Sequence, residues 1–411
     1  SAHPRWDASR TNVRQSPEQT RGGPEPPLVY CARSGEALTI PRMKLGVFFE
    51  WPNPEIRDWQ RLFEEGIEEI QLAEELGFDY VFIAEHHFSN YGMSPAPLMQ
   101  ALAIAERTKR IRIGTAVLVL PVWQPLRVAE EIAVLDNLTG GRFFCGIGRG
   151  YQPHEFARYG VTTEDSRQRF TECLDVLYKA WTCDTSFTYD GEYFKLPHDT
   201  VVWPKPLQKP HPPMMIVGTS PDTLRIAAER DFSAMVSGFG GPAAVNAAVR
   251  ELITQRVAAG RPGETWELGA QTFCLAADSN EAARESMRYP RWQNRAGRAL
   301  NRLDVVDGRV QPKPYEGEPD DEGFWNALYY GNPDRVRSKY LELAASGATF
   351  ASCWMMAGGI PHEQLMRSIK LMGEEVLPAV HEAPRPVELA AEASAAAGGV
   401  PARPQAQTPS D

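Results

Sequence analysis

From Lys44 onward, short apolar runs alternate with longer stretches whose apolar residues recur every three or four positions. Leu45-Gly46-Val47-Phe48-Phe49 is short and continuously apolar, which predicts a buried strand. Trp59, Leu62, Phe63, Ile67, Ile70, Leu72 and Ala73 then follow helical spacing, and Gly77 predicts the stop. The alternation continues to the end of the patterned region. Further strands are predicted over 80–84, 111–118, 142–147, 214–217, 233–237, 271–276 and 350–355. Helices are predicted over 97–107, 125–138, 166–181, from Pro221, over 242–258, over 332–345 and over 361–380. Asp190-Gly191 between β-formers predicts a small hairpin over 187–194. Eight buried strands alternating with helices predict an α/β fold, a parallel sheet closed into a (β/α)8 TIM barrel with insertions. An open doubly wound sheet is the alternative.

Three stretches break the rhythm. Residues 1–42 are rich in Pro, Arg, Ser and Gly and lack periodicity, so they are expected to be a flexible extension, with 43–382 as the barrel. The Ala/Pro/Glu-rich tail 383–411 reads as disordered. Residues 285–325, with Trp292, many arginines and Pro312, Pro314 and Pro319, form an insertion that is either an active-site lid or a disordered loop.

Composition narrows the function. The chain is 43% hydrophobic and 23% charged, ordinary for a globular protein, and no apolar run is long enough for a membrane helix. A net charge of −10 argues against a broad nucleic-acid surface. Cys31, Cys145, Cys173, Cys183, Cys274 and Cys353 contain no C-x-x-C pair, which suggests free thiols in a reducing cytoplasm.

The residues able to do chemistry lie just past the ends of predicted strands, where barrel enzymes keep their sites. Gly146-Ile147-Gly148-Arg149-Gly150, followed by Tyr151, is spaced G-x-G-x-G and follows the fourth strand, so it does not fit a dinucleotide loop. Small residues there let a flat ring or a phosphate approach the backbone, and Arg149 supplies a forked cation; a tight turn with a surface arginine is the plainer account. Gly218-Thr219-Ser220 precedes a helix in which Ser220 is the expected N-cap and Pro221 the first residue. A helix start of that kind can also hold a phosphate. Glu85-His86-His87 offers a histidine for proton transfer. Neighbouring histidines at a strand end point to opposite sides, so no metal is expected. No G-x-S-x-G elbow or P-loop occurs.

Read in order, several blocks resemble the bacterial luciferase-like flavin monooxygenases. They are Ala84-Glu85-His86-His87-Phe88, Gly114-Thr115-Ala116-Val117, Gly140-Gly141-Arg142-Phe143, Gly148-Arg149-Gly150, Glu164-Asp165-Ser166-Arg167, Val217-Gly218-Thr219-Ser220, and Met372-Gly373-Glu374-Glu375-Val376-Leu377-Pro378. The resemblance spans 43–377 and implies a (β/α)8 barrel that binds reduced FMN or, in some branches, a deazaflavin. It assigns Arg149 and Arg167 to the flavin phosphate, with Thr219, Ser220 and Thr223 as donors beside Gly218. It places Ala116-Val117, often a cis peptide in this family, beneath the isoalloxazine. Gly148 falls where luciferase carries a cysteine, with Gly150 and Tyr151 beside it. His86 matches a histidine implicated in base chemistry, and His87 is the second choice.

The implied activity is an FMN-dependent monooxygenase. Reduced flavin, supplied by a separate reductase, would react with O2 to a C4a-(hydro)peroxide that oxygenates a small organic substrate. A homodimer is expected by the same resemblance. The alternatives are a deazaflavin-dependent dehydrogenase or reductase and a non-catalytic flavin-binding protein. Gly148, without a thiol, and Thr219, in place of an acid, put aldehyde oxidation with light emission in doubt. Tyr91, Trp123 and Phe239 are expected to shape the pocket.

Overall fold

In the computed structural model, which describes residues 42–261, 266–384, 386 and 388–389, all eight predicted strands form. They are β1 (Lys44–Phe49), β2 (Tyr80–Ile83), β3 (Arg112–Thr115), β4 (Phe143–Gly148), β5 (Met214–Val217), β6 (Ser233–Ser237), β7 (Leu268–Ala276) and β8 (Phe350–Trp354). Each pairs with its successor in parallel, and β8 pairs back onto β1, so the sheet closes into a barrel. Closure rules out the open-sheet alternative. The expectations for residues 1–41 and for most of the tail beyond 383 lie outside the described residues.

The helices are α1 (Trp59–Glu75), α2 (Pro97–Arg107), α3 (Pro125–Leu138), α4 (Pro153–Tyr159), α5 (Ser166–Thr182), α6 (Pro221–Arg230), α7 (Gly241–Ala258), α8 (Asn280–Glu285), α9 (Arg288–Asn301), α10 (Asp321–Ala327), α11 (Pro333–Ala345), α12 (His362–Leu371) and α13 (Leu377–Glu382). None is long and apolar enough to cross a membrane among the described residues. The five described cysteines are all free, four of them buried.

The barrel interior is filled by rings that glycines on neighbouring strands admit. Phe82, Phe144 and Phe350 point inward from β2, β4 and β8, with Phe82 edge-on to Phe144 at 5.5 Å and stacked on Phe350 at 6.0 Å. Gly46, Gly114 and Gly269, on β1, β3 and β7, leave the space for them. A Cβ on Gly114 would lie 1.9 Å from Phe144 Cζ, and one on Gly269 would lie 2.0 Å from Phe350 Cε2. The layer therefore alternates small and large, a way to fill a closed eight-stranded interior.

Several elements differ from the sequence reading. The third strand stops at Thr115, the Ala116-Val117 peptide is cis, and Leu118–Val119 resumes pairing against Ile147 and Gly148. The hairpin is longer than expected, with strands Phe187–Asp190 and Lys195–Thr200, because Glu172 of α5 accepts the backbone N–H groups of Glu192, Tyr193 and Phe194 across the turn. The final predicted helix is broken by one π-helical turn, Met372–Val376, where Gly373 lies so close to Leu76 that a Cβ would be 2.6 Å away. Residues 285–325 contain α9, α10 and a small antiparallel pairing of Val305–Val306 with Arg309–Val310. A short strand, Tyr329–Gly331, runs along the end of β7.

Candidate active site

Every sequence-selected residue lies at the C-terminal end of the barrel, in two neighbourhoods separated by the glycine stretch of β4. On one side stand β1, β2 and α4; on the other, β5 and the starts of α5 and α6.

The glycines of β4 have an intramolecular reason to be small. The bulge after β3 runs alongside them, and a Cβ on Gly146 would fall 1.8 Å from Thr115 O, while one on Gly148 would fall 2.7 Å from Val117 Cγ2. Thr115 locks the contact, donating its hydroxyl to Gly146 O at 2.7 Å and accepting Gly146 N–H at 3.0 Å. These two glycines seat the Ala116-Val117 bulge against β4. Glu85, fully buried after β2, holds the bulge from the other side. Its carboxylate accepts Val119 N–H at 2.8 Å and the Trp123 indole N–H at 3.0 Å, and it pairs with His87 Nε2 at 2.9 Å. The other ring nitrogen of His87 meets the Tyr159 hydroxyl at 3.1 Å. Both nitrogens of His87 are thus committed, one to buried Glu85 and the other to the Tyr159 hydroxyl, whereas Trp123 braces Glu85.

His86 is held differently. Its Nδ1 lies 3.0 Å from Glu155 Oε1, which also accepts the His87 backbone N–H at 3.0 Å. Its Nε2 faces Glu50, at the end of β1, across 3.6 Å, and its ring stands edge-on to buried Tyr91 at 4.7 Å. Burial raises Glu155, but His86 and the His87 N–H more than offset it, so its carboxyl lies below the usual range. Burial, with Glu155 beside it, holds Glu50 well above that range. Burial, Glu50 and Tyr151 keep the Tyr91 phenol well above its ordinary value. Glu50 accepts the side-chain amide of Gln293 from α9, and Gln293 Oε1 takes Gly358 N–H at 2.9 Å. Glu50, Glu155 and Gln293 are not singled out by sequence. Each is a lone polar residue whose only signal is burial, which appears once the elements are assembled.

The second neighbourhood is built for an anion. Ile147 pairs with Ile216, which sets residues 148–151 beside residues 217–220 at one end of the barrel. Ser220 caps α6, accepting Thr223 N–H at 3.2 Å, and the two hydroxyls lie 2.9 Å apart. Gly218 has φ +154°, and a Cβ there would stand 3.0 Å from Thr223 Oγ1, so glycine leaves that hydroxyl uncovered. Thr219 follows it into the helix start. Arg149 is exposed and makes no ion pair among the described residues, and Tyr151 beside it is exposed. Arg167, in the first turn of α5, is paired at 2.5 Å with exposed Asp222 of α6. Hydroxyls, a helix N-terminus and two guanidinium groups make a donor set that fits a flavin phosphate. Between the two neighbourhoods, Phe48, Trp354, Phe273 and Phe239 form a run of ring contacts at 5.1, 4.5 and 4.8 Å across the barrel mouth. Such an apolar wall suits a flat ring.

Comparison with known proteins agrees with this geometry. The model of the luciferase-like monooxygenase family matches residues 43–349. An uncharacterized protein of Sinorhizobium fredii, y4vJ, is 31% identical over 323 residues, covering 77% of this chain and 91% of that protein. The oxygenase component of a flavin-dependent trigonelline monooxygenase from Acinetobacter baylyi is 31% identical over 180 residues, 43% of this chain. That match spans about half the length of the Acinetobacter protein. Among solved structures, the monooxygenase RslO1 from Streptomyces bottropensis superimposes with a TM-score of 0.70 at 27% identity, over 82% of this chain and 99% of that one.

Proposed function

Because the chain belongs to the luciferase-like monooxygenase family, we propose that it is an FMN-dependent monooxygenase acting on a small organic substrate. The observation that carries this reading is the anion corner, an arginine without an ion-pair partner among the described residues beside a glycine-opened helix start with two hydroxyls. Arg149, Arg167, Thr219, Ser220 and Thr223 would hold the phosphate, and Gly148, Gly150, Tyr151, Gly218 and the Ala116-Val117 bulge would border the ring system. Reduced flavin supplies, when bound, the electrons with which O2 is activated.

The chain's own residues do the rest. The aromatic wall of Phe48, Trp354, Phe273 and Phe239 keeps water from the reacting centre. His86 moves a proton to or from the reactant through Nε2; His87, with both nitrogens engaged, supports the backbone around it. The insertion 285–325 covers the mouth, with Gln293 reaching inward from α9. A relative described as an oxygenase component supports a separate flavin reductase as electron source; a cytoplasmic homodimer is part of the same proposal.

The test is titration of the protein with FMN and with a deazaflavin, followed by oxygen-uptake assays with supplied reduced FMN and a substrate panel. Preference for FMN and substrate-stimulated uptake are expected. Preference for the deazaflavin would move the reading to hydride transfer, and binding of neither would overturn it. Arg149→Ala should weaken FMN by ~10–100-fold, as expected when a hydrogen bond to a charged group worth ~1.5–3 kcal/mol is lost.

A further inference from the structure

We propose that Glu50 is a positioning residue that shares a proton with His86 and so sets the protonation state in which His86 meets its reactant; this rests on the role given to His86 above. Glu50 is completely buried at the end of β1. One carboxyl oxygen takes the Gln293 amide, while Oε2 has no hydrogen-bond partner and lies 3.6 Å from His86 Nε2. A buried polar atom without a partner is uncommon, and here it faces a titratable ring. The opposite edge of that ring is fixed by Glu155 at 3.0 Å, and Tyr91 blocks rotation from the side. His86 therefore stands between two carboxyl groups that differ in character. Glu155 is also satisfied by the His87 backbone N–H, so it is the ionised one, and His86 Nδ1 carries the proton donated to it.

The Nε2 lone pair is then left facing Glu50. A proton on Glu50 Oε2 faces that lone pair across 3.6 Å. When it moves, the O–H bond breaks and an N–H bond forms at Nε2, giving an imidazolium between two carboxylates. In the reverse transfer the N–H bond at Nε2 breaks and the O–H bond on Glu50 Oε2 reforms, so the exchange balances within the buried pair. The groups facing the pair favour this arrangement. Tyr91 from the segment after β2, Tyr151 after β4 and Glu155 of α4 contribute no positive charge, and α9 contributes the neutral Gln293. Burial beside Glu155 accordingly holds the Glu50 carboxyl well above the usual carboxylate range.

The experiment uses the full chain without flavin. Histidine 15N NMR follows the titration of His86 in wild type and in Glu50→Gln, with His86→Asn to assign the signal. Glu50→Gln keeps the shape and removes the anion that the imidazolium needs, so His86 should titrate at least one pH unit lower, a tenfold loss of proton affinity. Infrared difference spectra should contain a protonated-carboxyl band that is absent in Glu50→Gln and present in His86→Asn. An unmoved His86 titration in a folded Glu50→Gln protein, or no such band in wild type, overturns the proposal. Should Glu50→Gln not fold, the band in wild type and in His86→Asn decides alone. Failure of the flavin reading would appear separately, as no FMN uptake by wild type with these spectra unchanged.

Discussion

Glu85, His86 and His87 are consecutive, yet the fold gives each a different task. Glu85 accepts three donors, from Val119, Trp123 and His87, and thereby fixes the bulge after β3. Glu85→Gln replaces one acceptor oxygen with an amide NH2 group that faces an N–H donor. It should cost ~1–3 kcal/mol, the penalty of leaving a buried polar group unsatisfied, and lower the thermal midpoint. An unchanged midpoint would mean that the bulge stands without this carboxylate. The two arginines are likewise unequal. Asp222 holds Arg167 in advance, whereas Arg149 has no competing ion pair among the described residues. Arg167→Ala should therefore weaken FMN binding less than Arg149→Ala in the same titration, and the reverse order would show that Asp222 releases Arg167 to the ligand. The strand-end residues were legible because glycines, paired histidines and a Ser-Pro helix start stand out in an apolar chain. Glu50 and Gln293 did not, since distant acids and amides converge only after the barrel closes.

At the scale of elements, α1 and α12 meet through a buried acid. Glu69 of α1 pairs with His362 at 2.8 Å, and the His362 ring also reaches Glu68 at 3.2 Å. Burial dominates Glu69 and pushes it up to about 7, although His362 opposes the shift. The Glu69 hydrogen bond raises His362 above its ordinary value, against burial. Both folded-state values exceed the unfolded ones, so the folded protein binds more protons, and stability must fall as pH rises. Glu69's contribution is complete below about 4.5 and is lost as pH passes about 7; that of His362 is complete below 6.5 and is lost above it. Urea unfolding from pH 5 to 8 should show wild type losing on the order of 1–3 kcal/mol more than Glu69→Gln. Parallel pH dependence in the two proteins would contradict it. Helical periodicity located both helices but not this contact. It also missed α4, which spans only seven residues, and the π-helical turn before α13, because both depend on packing rather than on pattern.

The whole molecule depends on how a closed sheet fills its own interior. Alternating apolar runs made eight strands and their helices legible, but pairing between β8 and β1 joins residues at opposite ends of the chain, which no local pattern encodes. What enforces closure is shape. Rings from β2, β4 and β8 occupy one layer only because β1, β3 and β7 present glycine there. Gly114→Ala tests this directly. Its Cβ would meet Phe144 Cζ at 1.9 Å, Cε2 at 2.1 Å and Cε1 at 2.4 Å, and neither partner can retreat inside a closed ring. Overpacking of this kind costs ~1–3 kcal/mol or more. All three offending atoms belong to the outer ring, and leucine at 144 lacks them. Phe144→Leu alone should destabilise by leaving space, yet Gly114→Ala with Phe144→Leu should be more stable than the sum of the single losses by at least ~1 kcal/mol, a coupling typical of residues in direct contact. Additive losses in urea unfolding would mean that the layer relaxes around either change, and that closure is set by hydrogen-bond register instead.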